Sequence, residues 1–388
     1  MPPRYPAQED ELYLRFLNRR IVKGYPCNMF WLVSQMRAIL RETSPPGWVE
    51  GHCKHSWAVA WCGRYSVTTQ CGYNSKSQDI RDRQQMIVDF HRFMAELQKS
   101  EPQRDPKYGR FGLRWVFHVD QVPLPFAYNA KRTLNPKNAS SCRIAAPNTS
   151  GLEKRQATLQ LWICANTADG QPIRPAIIFR GTRGGRLPNR AEAAAYAHLT
   201  NIRIYYQRNA WADEEFCEQD LLDVAQAYLV AAGYGSGEEL LAGMDRHAAQ
   251  KTLRMKQLYT ELGMVPVFTP PGCTDCVSPV DHHVGRQLQN YMAKCYQAEV
   301  EQNPHIWLAS DDDDHAMNID DPNCASAGAR RILMAQWLSA AWADLEANHK
   351  HLIDSAFLQT GFLLAKDGSE DGLVSLQGWE GTEKYKFR

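Results

Sequence analysis

Three aspartates constrain the fold of this 388-residue chain more than any other feature, because each follows a short apolar run. They are Asp120, Asp245 and Asp281. The apolar runs before them are Trp115–Val119, Leu240–Met244 and Val265–Phe268, and the turn Pro270–Thr274 separates the last run from Asp281, which opens a helix. Runs of this length are typical of buried strands. We therefore expect neighbouring strand ends to bring the three carboxylates together at one edge of a sheet.

Three carboxylates in one place favour a metal site. They cannot all stay ionised at close range unless a positive charge lies between them. Carboxylate oxygens are the hard ligands that Mg²⁺ and Mn²⁺ prefer, and such a set is typical of two-metal phosphoryl transfer. A single aspartate after a strand is usually a helix cap or a turn residue, so the prediction depends on the ordered set of three.

The charge of the chain is unevenly distributed. Residues 1–115 contain 18 Lys and Arg against 11 Asp and Glu, whereas residues 301–388 contain 7 against 15. The residues between them are close to neutral, with 19 against 17. A basic front predicts a bound polyanion, and ordinary variation of surface charge is the alternative.

The hydrophobic period predicts an α/β chain in three parts. Residues 1–100 form a helical domain, residues 111–302 a mixed sheet flanked by helices, and residues 326–388 a helical tail. The predicted helices are Gln8–Ile21, Met29–Leu40, Ser56–Arg64 with Ser56 as N-cap, Gln78–Lys99, Asp213–Val230, Ala248–Leu262, Asp281–Glu301, Ala329–Asn348 and His351–Thr360. The predicted strands are Leu113–Val119, Ala157–Ala165, Ile173–Phe179 and Ile202–Tyr206, with two more before Asp245 and at Val265–Phe268.

Cysteine usage and hydropathy predict an intracellular protein. The 11 cysteines follow no signal peptide, and Cys164 and Cys217 are expected to be buried thiols. No run of about 18 apolar residues is present, so we expect no membrane span. Cys273 and Cys276 have the spacing of half a zinc site but lack a matching second pair. The acidic run 311–314 lies in a linker, where such runs are usually solvated.

Four stretches resemble a known family. They are Val119-Asp120, Gly170–Gly181, Met244–His247 and Thr269–Asp281, and the resemblance spans roughly residues 115–300. In their order and spacing the chain resembles a pogo-type transposase of the mariner-like superfamily, with a DDE-type endonuclease domain. The resemblance implies a ribonuclease-H-like fold and a nuclear protein. It also implies that Asp120, Asp245 and Asp281 are catalytic and hold two Mg²⁺ (or Mn²⁺) ions for DNA cleavage and strand transfer.

The front of the chain resembles a centromere-protein-B-type helix-turn-helix, through Glu9–Leu12 and Lys54–Arg64. The resemblance implies binding of double-stranded DNA and leaves a homodimer open. Five basic residues are the predicted phosphate contacts: Arg19, Arg20, Lys23, Lys54 and Arg64. The alternative is a helical bundle that binds a protein, with Trp57 and Trp61 in its core.

Two neighbours of the aspartates differ from the family pattern. Gln121 stands after Asp120 where a glutamate is usual, and Arg246 follows Asp245 where a small residue is common. These changes favour an alternative of another class, a domesticated and catalytically silent DNA-binding protein. The three aspartates themselves favour the enzyme.

Overall fold

The computed structural model describes residues 3–22, 27–71, 83–125, 132–137, 155–166, 173–181, 188–235, 237–302 and 325–376. In this part the helices are α1 (Pro6–Leu17), α2 (Met29–Thr43), α3 (His55–Arg64), α4 (Gln84–Lys99), α5 (Arg190–Tyr196), α6 (Glu214–Val224), α7 (Leu253–Glu261), α8 (Thr274–Val277), α9 (Gly285–Gln302), α10 (Ala325–Asn348) and α11 (His351–Gln359). The strands are β1 (Val67–Cys71), β2 (Val116–Pro125), β3 (Arg132–Pro136), β4 (Arg155–Cys164), β5 (Ala176–Arg180), β6 (Arg203–Gln207), β7 (Leu240–Met244) and β8 (Met264–Phe268).

Six of the described strands form one mixed sheet in the order β6-β5-β4-β2-β7-β8. Strand β4 is antiparallel to both of its neighbours, and the other pairs are parallel. Helices flank the sheet, which confirms the predicted mixed α/β class. The predicted strand Leu113–Val119 begins later than expected, because Leu113–Trp115 form a 3-10 turn before β2.

Strand β7 is buried along its whole length, as its uninterrupted apolar sequence requires. Its alternate residues face different layers. Ala242 and Met244 pack in a cluster with residues of α6 and α7. Gly243 points the other way, where a Cβ atom would lie only 2.3 Å from Cζ of Phe362. The glycine is needed here because the ring of Phe362 occupies the space of a side chain.

The described residues cluster in two compact units. One contains the described residues of 1–77, 127–154 and 296–321, and the other those of 78–126, 155–295 and 322–388. The predicted boundary at residue 100 therefore differs from the structure, since α4 belongs to the second unit. There His91 hydrogen-bonds the carbonyl of Thr360 at 2.9 Å, and Gln98 donates to the carbonyl of Leu364 at 3.1 Å.

The predicted tail domain is also part of the second unit. Arg331 of α10 forms a buried ion pair with Glu192 of α5 at 2.5 Å. Asn201, before β6, donates to the carbonyl of Ser339 at 2.8 Å. These polar contacts, the first of them buried, join the tail to the sheet domain, so the described residues 326–376 do not form a separate body.

The first unit contains α1, α2 and α3, which confirms a helical front. Its core surrounds Trp61, which is fully buried and stacks on Tyr65 at 4.8 Å between ring centroids. Strands β1 and β3 form an antiparallel pair that the sequence analysis missed. Helix α3 begins at His55 with Lys54 as its N-cap, so the predicted cap at Ser56 was wrong by two residues.

Candidate active site and candidate nucleic-acid interface

Asp120 and Asp245 lie on neighbouring strands at the same edge of the sheet. Strands β2 and β7 are parallel, and Val119 is paired with Met244. Asp120 is the next residue of β2, which continues to Pro125, and Asp245 is the first residue after β7, so the sheet register places them side by side. Asp120 is buried, with 7% of its surface exposed, and Asp245 is half-buried.

A serine hydroxyl connects Asp281 with Asp120 by hydrogen bonds. Asp281 lies in the π-helical turn Val280–Val284 that leads into α9. The fully buried Ser278 donates its hydroxyl hydrogen to Asp120 Oδ2 at 2.9 Å. The same hydroxyl accepts the main-chain N–H of Asp281 at 3.3 Å. Ser278 therefore links the first and third aspartates, and sequence reasoning missed it, although it stands just three residues before Asp281.

Two threonines hold Asp245. The hydroxyls of Thr269 and Thr274 donate to Asp245 Oδ1 at 3.3 and 3.4 Å. Thr274 is the first residue of α8, which lies within the loop segment between β8 and Asp281, and a residue at the start of α4 contacts this segment. Arg83, the N-cap residue of α4, is only 6% exposed in its side chain and pairs with Asp275, where Nη2 lies 3.2 Å from Oδ2. Arg83 thus positions the loop that contacts Asp245.

The three carboxylates repel one another. Burial, together with the negative charges of Asp281 and Asp245, raises the pKa of Asp120 to about 8, and the hydrogen bonds from Gln121 and Ser278 act in the opposite direction. Burial also raises the pKa of Asp281 to about 6, with the charges of Asp245 and Asp275 acting in the same direction and Arg286 opposing them. A cation between the aspartates would remove this repulsion.

The donor chemistry of the site fits a hard divalent cation, because the side chains gathered here offer carboxylate and hydroxyl oxygens. The arrangement is not yet that of a closed coordination shell. Within the described ranges, no three His, Cys, Asp or Glu side chains are already arranged to hold one ion. Asp120 Oδ2 instead accepts a hydrogen bond from Ser278. Asp120, Asp245 and Asp281 are the residues that would hold the metal.

The raised pKa values predict a pH-dependent stability in metal-free buffer. A folded-state pKa above the unfolded value stabilises the fold at low pH, and this contribution is lost as pH rises toward the folded pKa. For Asp120 the window runs from the ordinary value of 3.8 to about 8. We expect Asp120→Asn to raise the midpoint of thermal unfolding more at pH 8 than at pH 5. Equal shifts at both pH values would contradict the raised pKa.

The two unusual neighbours act on the aspartates through their main chains. The N–H of Gln121 donates to Asp120 Oδ1 at 2.7 Å, and the N–H of Arg246 donates to Asp245 Oδ1 at 2.7 Å. A main-chain donor is present whatever side chain the residue carries. The changes at these two positions therefore leave both hydrogen bonds intact.

The cysteine pair beside the site consists of protonated thiols. Cys273 and Cys276 are both buried, and burial raises the pKa of each, that of Cys276 to about 12. Metal binding by cysteine requires the thiolate. The acidic run 311–314 lies outside the described residues.

In the first unit, Arg64 has an internal role. Glu9 is fully buried. Nε and Nη2 of Arg64 donate hydrogen bonds to Glu9 Oε2 at 3.0 and 2.8 Å. Trp57 is half-buried and donates its indole N–H to the same carboxylate at 3.2 Å. A buried carboxylate needs such a partner. We therefore replace the predicted phosphate contact of Arg64 by a structural ion pair.

The other predicted phosphate contacts differ in accessibility. Lys54 is exposed at the start of α3. Arg19 lies over the ring of Trp31, 5.5 Å from its centroid. Arg20 is buried, with 4% exposed, which is poorly suited to a surface phosphate. Lys23 lies outside the described residues. Lys54 is thus the most accessible of the set that the structure describes.

The comparisons with known proteins identify the family. The DDE superfamily endonuclease family model matches residues 156–349. This is half of the chain, and the chain belongs to this family. Asp245 and Asp281 lie within the matched range, whereas Asp120 and strand β2 precede it. No curated protein matches the chain.

Solved structures with similar folds include three Mos1 complexes. The chain is 9% identical to the chain in a pre-cleavage Mos1 transpososome, covering 89% of this chain and 80% of that one, with a TM-score of 0.35. The chain is 11% identical to the chain in the Mos1 Strand Transfer Complex, covering 92% of this chain and 79% of that one, with a TM-score of 0.34. It is 10% identical to the chain in the Mos1 mariner paired end complex with Mn, covering 92% of this chain and 80% of that one, with a TM-score of 0.33.

No described helix is both long and apolar enough to cross a membrane.

Proposed function

We propose that this chain is a transposase-type DNA endonuclease that cleaves duplex DNA and joins strands through Asp120, Asp245 and Asp281. The observation that supports the proposal is the gathering of the three aspartates: β2 and β7 place Asp120 beside Asp245, and the hydroxyl of Ser278 hydrogen-bonds both Asp120 and the main chain of Asp281. The three carboxylates come from chain segments that are far apart in sequence. Arg286 is the charged residue that opposes the rise in the pKa of Asp281. Such an arrangement is costly without a cation, and membership of the DDE superfamily endonuclease family supplies the reaction class.

In the proposed reaction, Asp120, Asp245 and Asp281 would hold two Mg²⁺ or Mn²⁺ ions. When bound, such ions activate a water molecule or a DNA 3′-hydroxyl and stabilise the leaving oxygen. Asp120 and Asp281 must both be ionised to hold the ions, and the raised pKa of Asp120, about 8, means that in the metal-free protein this residue keeps its proton at neutral pH. Ser278 fixes the orientation of Asp120, and Thr269 and Thr274 fix that of Asp245.

We further propose that the helical front binds duplex DNA in a pogo-type protein that works in the nucleus. The basic charge of residues 1–115 and the exposed Lys54 support this part. The second candidate is a domesticated DNA-binding protein that no longer cuts. Gln121 favours it, because an amide stands beside Asp120 and its Nε2 is buried without a hydrogen-bond partner.

One assay of the full chain with supercoiled plasmid distinguishes the nuclease from the domesticated DNA-binding protein. The nuclease is expected to convert plasmid to the nicked form in MgCl2 or MnCl2 and to leave it intact in EDTA. Binding is measured in parallel by gel shift. Plasmid that is bound but never nicked in either metal would reject the nuclease and support the domesticated candidate.

A further inference from the structure

A cavity of about 340 Å³ lies beside the end of α6 in the second unit. This volume is within the range of small-molecule sites, about 300–1,000 Å³. Its walls come from the segment before β5, the start of β6, the end of α6 and the π-helical turn Ala225–Leu229. Asp120, Asp245 and Asp281 do not line it.

The cavity is on the face of the sheet that α6 covers. Val119 of β2 packs in one core cluster with Val224 and Tyr228, which both line the cavity. Successive side chains of a strand point to opposite faces. Asp120 therefore points to the other face, where it meets Ser278. The sheet lies between the cavity and this carboxylate, so the cavity is not part of the candidate metal site.

Buried contacts hold Arg203, the first residue of β6, in one orientation. Its side chain is only 10% exposed. Nε donates to the carbonyl of Arg174 at 3.1 Å, and Nη1 lies 2.7 Å from Oδ1 of the buried Asp220. Asp220 is itself held by the indole N–H of Trp162 at 2.7 Å. The guanidinium is therefore preorganised for a ligand.

The remaining nitrogen of Arg203, Nη2, is buried and has no hydrogen-bond partner among the described residues. A buried donor without a partner is destabilising, and more so when it belongs to a charged group. Because Arg203 lines the cavity, an acceptor bound there can supply the missing hydrogen bond. Arg174, which also lines the cavity, is exposed and donates to the carbonyl of Thr200 at 3.3 Å.

The charges around the cavity favour a ligand with a single negative charge. Arg174 and Arg203 are its two basic members, and Asp223 is its acidic member. Asp220 balances Arg203 from behind the wall. A phosphate dianion would be repelled by these two carboxylates. One carboxylate forms strong charge-assisted hydrogen bonds with guanidinium groups and adds only one charge.

The rest of the wall is largely apolar. Ile173, Val224 and Tyr228 are buried side chains of the lining. The carboxylate of Asp223 is already engaged, because its Oδ2 accepts the hydroxyl hydrogen of Tyr205. These surfaces suit an aliphatic or aromatic body attached to the bound carboxylate.

We propose that this cavity binds a ligand that has one carboxylate on an apolar body. The carboxylate accepts hydrogen bonds from Arg203 and Arg174, and the body packs on Ile173, Val224 and Tyr228. A carboxylate of this kind comes from a small free acid or from the C-terminus of a peptide. The site uses none of the three aspartates, so it is independent of the proposed nuclease.

Saturation-transfer NMR with the full chain tests this site. The probe is N-acetyl-leucine, which combines one carboxylate with an aliphatic body, and N-acetyl-leucinamide is the matched compound without the charge. We expect the acid to bind at least about tenfold more tightly than the amide. Equal binding of acid and amide, no binding of the acid, or its displacement by an equal concentration of inorganic phosphate would overturn the assignment.

A third compound distinguishes the two sources of the carboxylate. 4-Methylpentanoate has the carbon skeleton of leucine without the acetylamino group. Binding as tight as that of N-acetyl-leucine would support a small free acid as the ligand. Weaker binding would support a peptide C-terminus, because the peptide group then contributes to the affinity.

Variants locate the binding in the cavity. Arg174→Ala is expected to weaken binding of N-acetyl-leucine about tenfold, as loss of a charge-assisted hydrogen bond does. Ala227→Phe should also weaken it, because Ala227 is an exposed member of the wall and the added ring would fill the cavity. Arg180→Ala, at the other end of β5, and Gln226→Phe are the matched controls, since both residues are exposed and neither lines the cavity. Unchanged affinity in either folded cavity variant would contradict the proposal.

Discussion

Asp120→Asn, Asp245→Asn and Asp281→Asn are each expected to lower the rate of metal-dependent plasmid nicking by about a thousandfold or more. Asparagine has nearly the shape of aspartate but no charge, so each variant removes one anionic metal ligand and preserves the packing. The loss is large because charge stabilisation by bound metal is the main source of rate in this chemistry. The measurement is the initial rate of nicking in MnCl2.

The matched control for these variants is Asp89→Asn. Asp89 lies on α4 with a side chain that is 59% exposed, and the aspartates of the site show no electrostatic effect from it. This variant should nick at the wild-type rate. If any of the three site variants also nicked at that rate while folded, its aspartate would have no catalytic role.

Arg64→Ala and Lys54→Ala are expected to act in opposite ways. Loss of Arg64 leaves Glu9 buried without its charged partner, which costs about 3–5 kcal/mol of unfolding free energy. Loss of the exposed Lys54 should leave stability unchanged. It should weaken binding to duplex DNA and lower the slope of log affinity against log salt by about 0.9, as expected when one phosphate contact is removed.

The paired variant Glu9→Gln with Arg64→Met separates the two explanations for Arg64. It removes both charges of the ion pair, so stability should recover part of what Arg64→Ala loses. Urea unfolding of the full chain measures the first effect, and DNA titrations at several salt concentrations measure the second. If Arg64→Ala unfolded like the wild type and flattened the salt slope, Arg64 would be a phosphate contact after all.

The sheet and the first two aspartates could be predicted because their signals are local. An uninterrupted apolar run such as Leu240–Met244 is compatible with a strand buried on both faces, and Asp245 is the first polar residue after it. Asp120 lies inside β2, which continues to Pro125, so the expected strand end at Asp120 was wrong. The pairing of Val119 with Met244 nevertheless places Asp120 beside Asp245.

The contacts that support the site could not be predicted, because they join distant residues. Arg83 pairs with Asp275 from 192 positions away, and Ser278 meets Asp120 from 158 positions away. The helical period of α4 predicts a helix but not the unit against which its apolar face packs. For the same reason β1 and β3 were missed, since each is a short strand that depends on the other.

Charge was the least reliable signal, because sequence shows where charges stand but not whether they are buried. Arg64 and Arg20 were both predicted to lie on a DNA-binding surface. The structure places Arg64 on a buried glutamate and leaves Arg20 with 4% exposure. The raised pKa values of Asp120 and Asp281 could not be predicted for the same reason, because their largest cause is burial of the carboxyl groups.

The most direct test of the three-aspartate site is the binding of Mn²⁺, followed by electron paramagnetic resonance of the free ion. The full chain is compared with Asp120→Asn, Asp245→Asn and Asp281→Asn, and with Asp89→Asn as the control. We predict that the wild type and the control take up Mn²⁺ and that each site variant binds it far more weakly. Equal uptake of Mn²⁺ by the wild type and all three site variants would contradict the account.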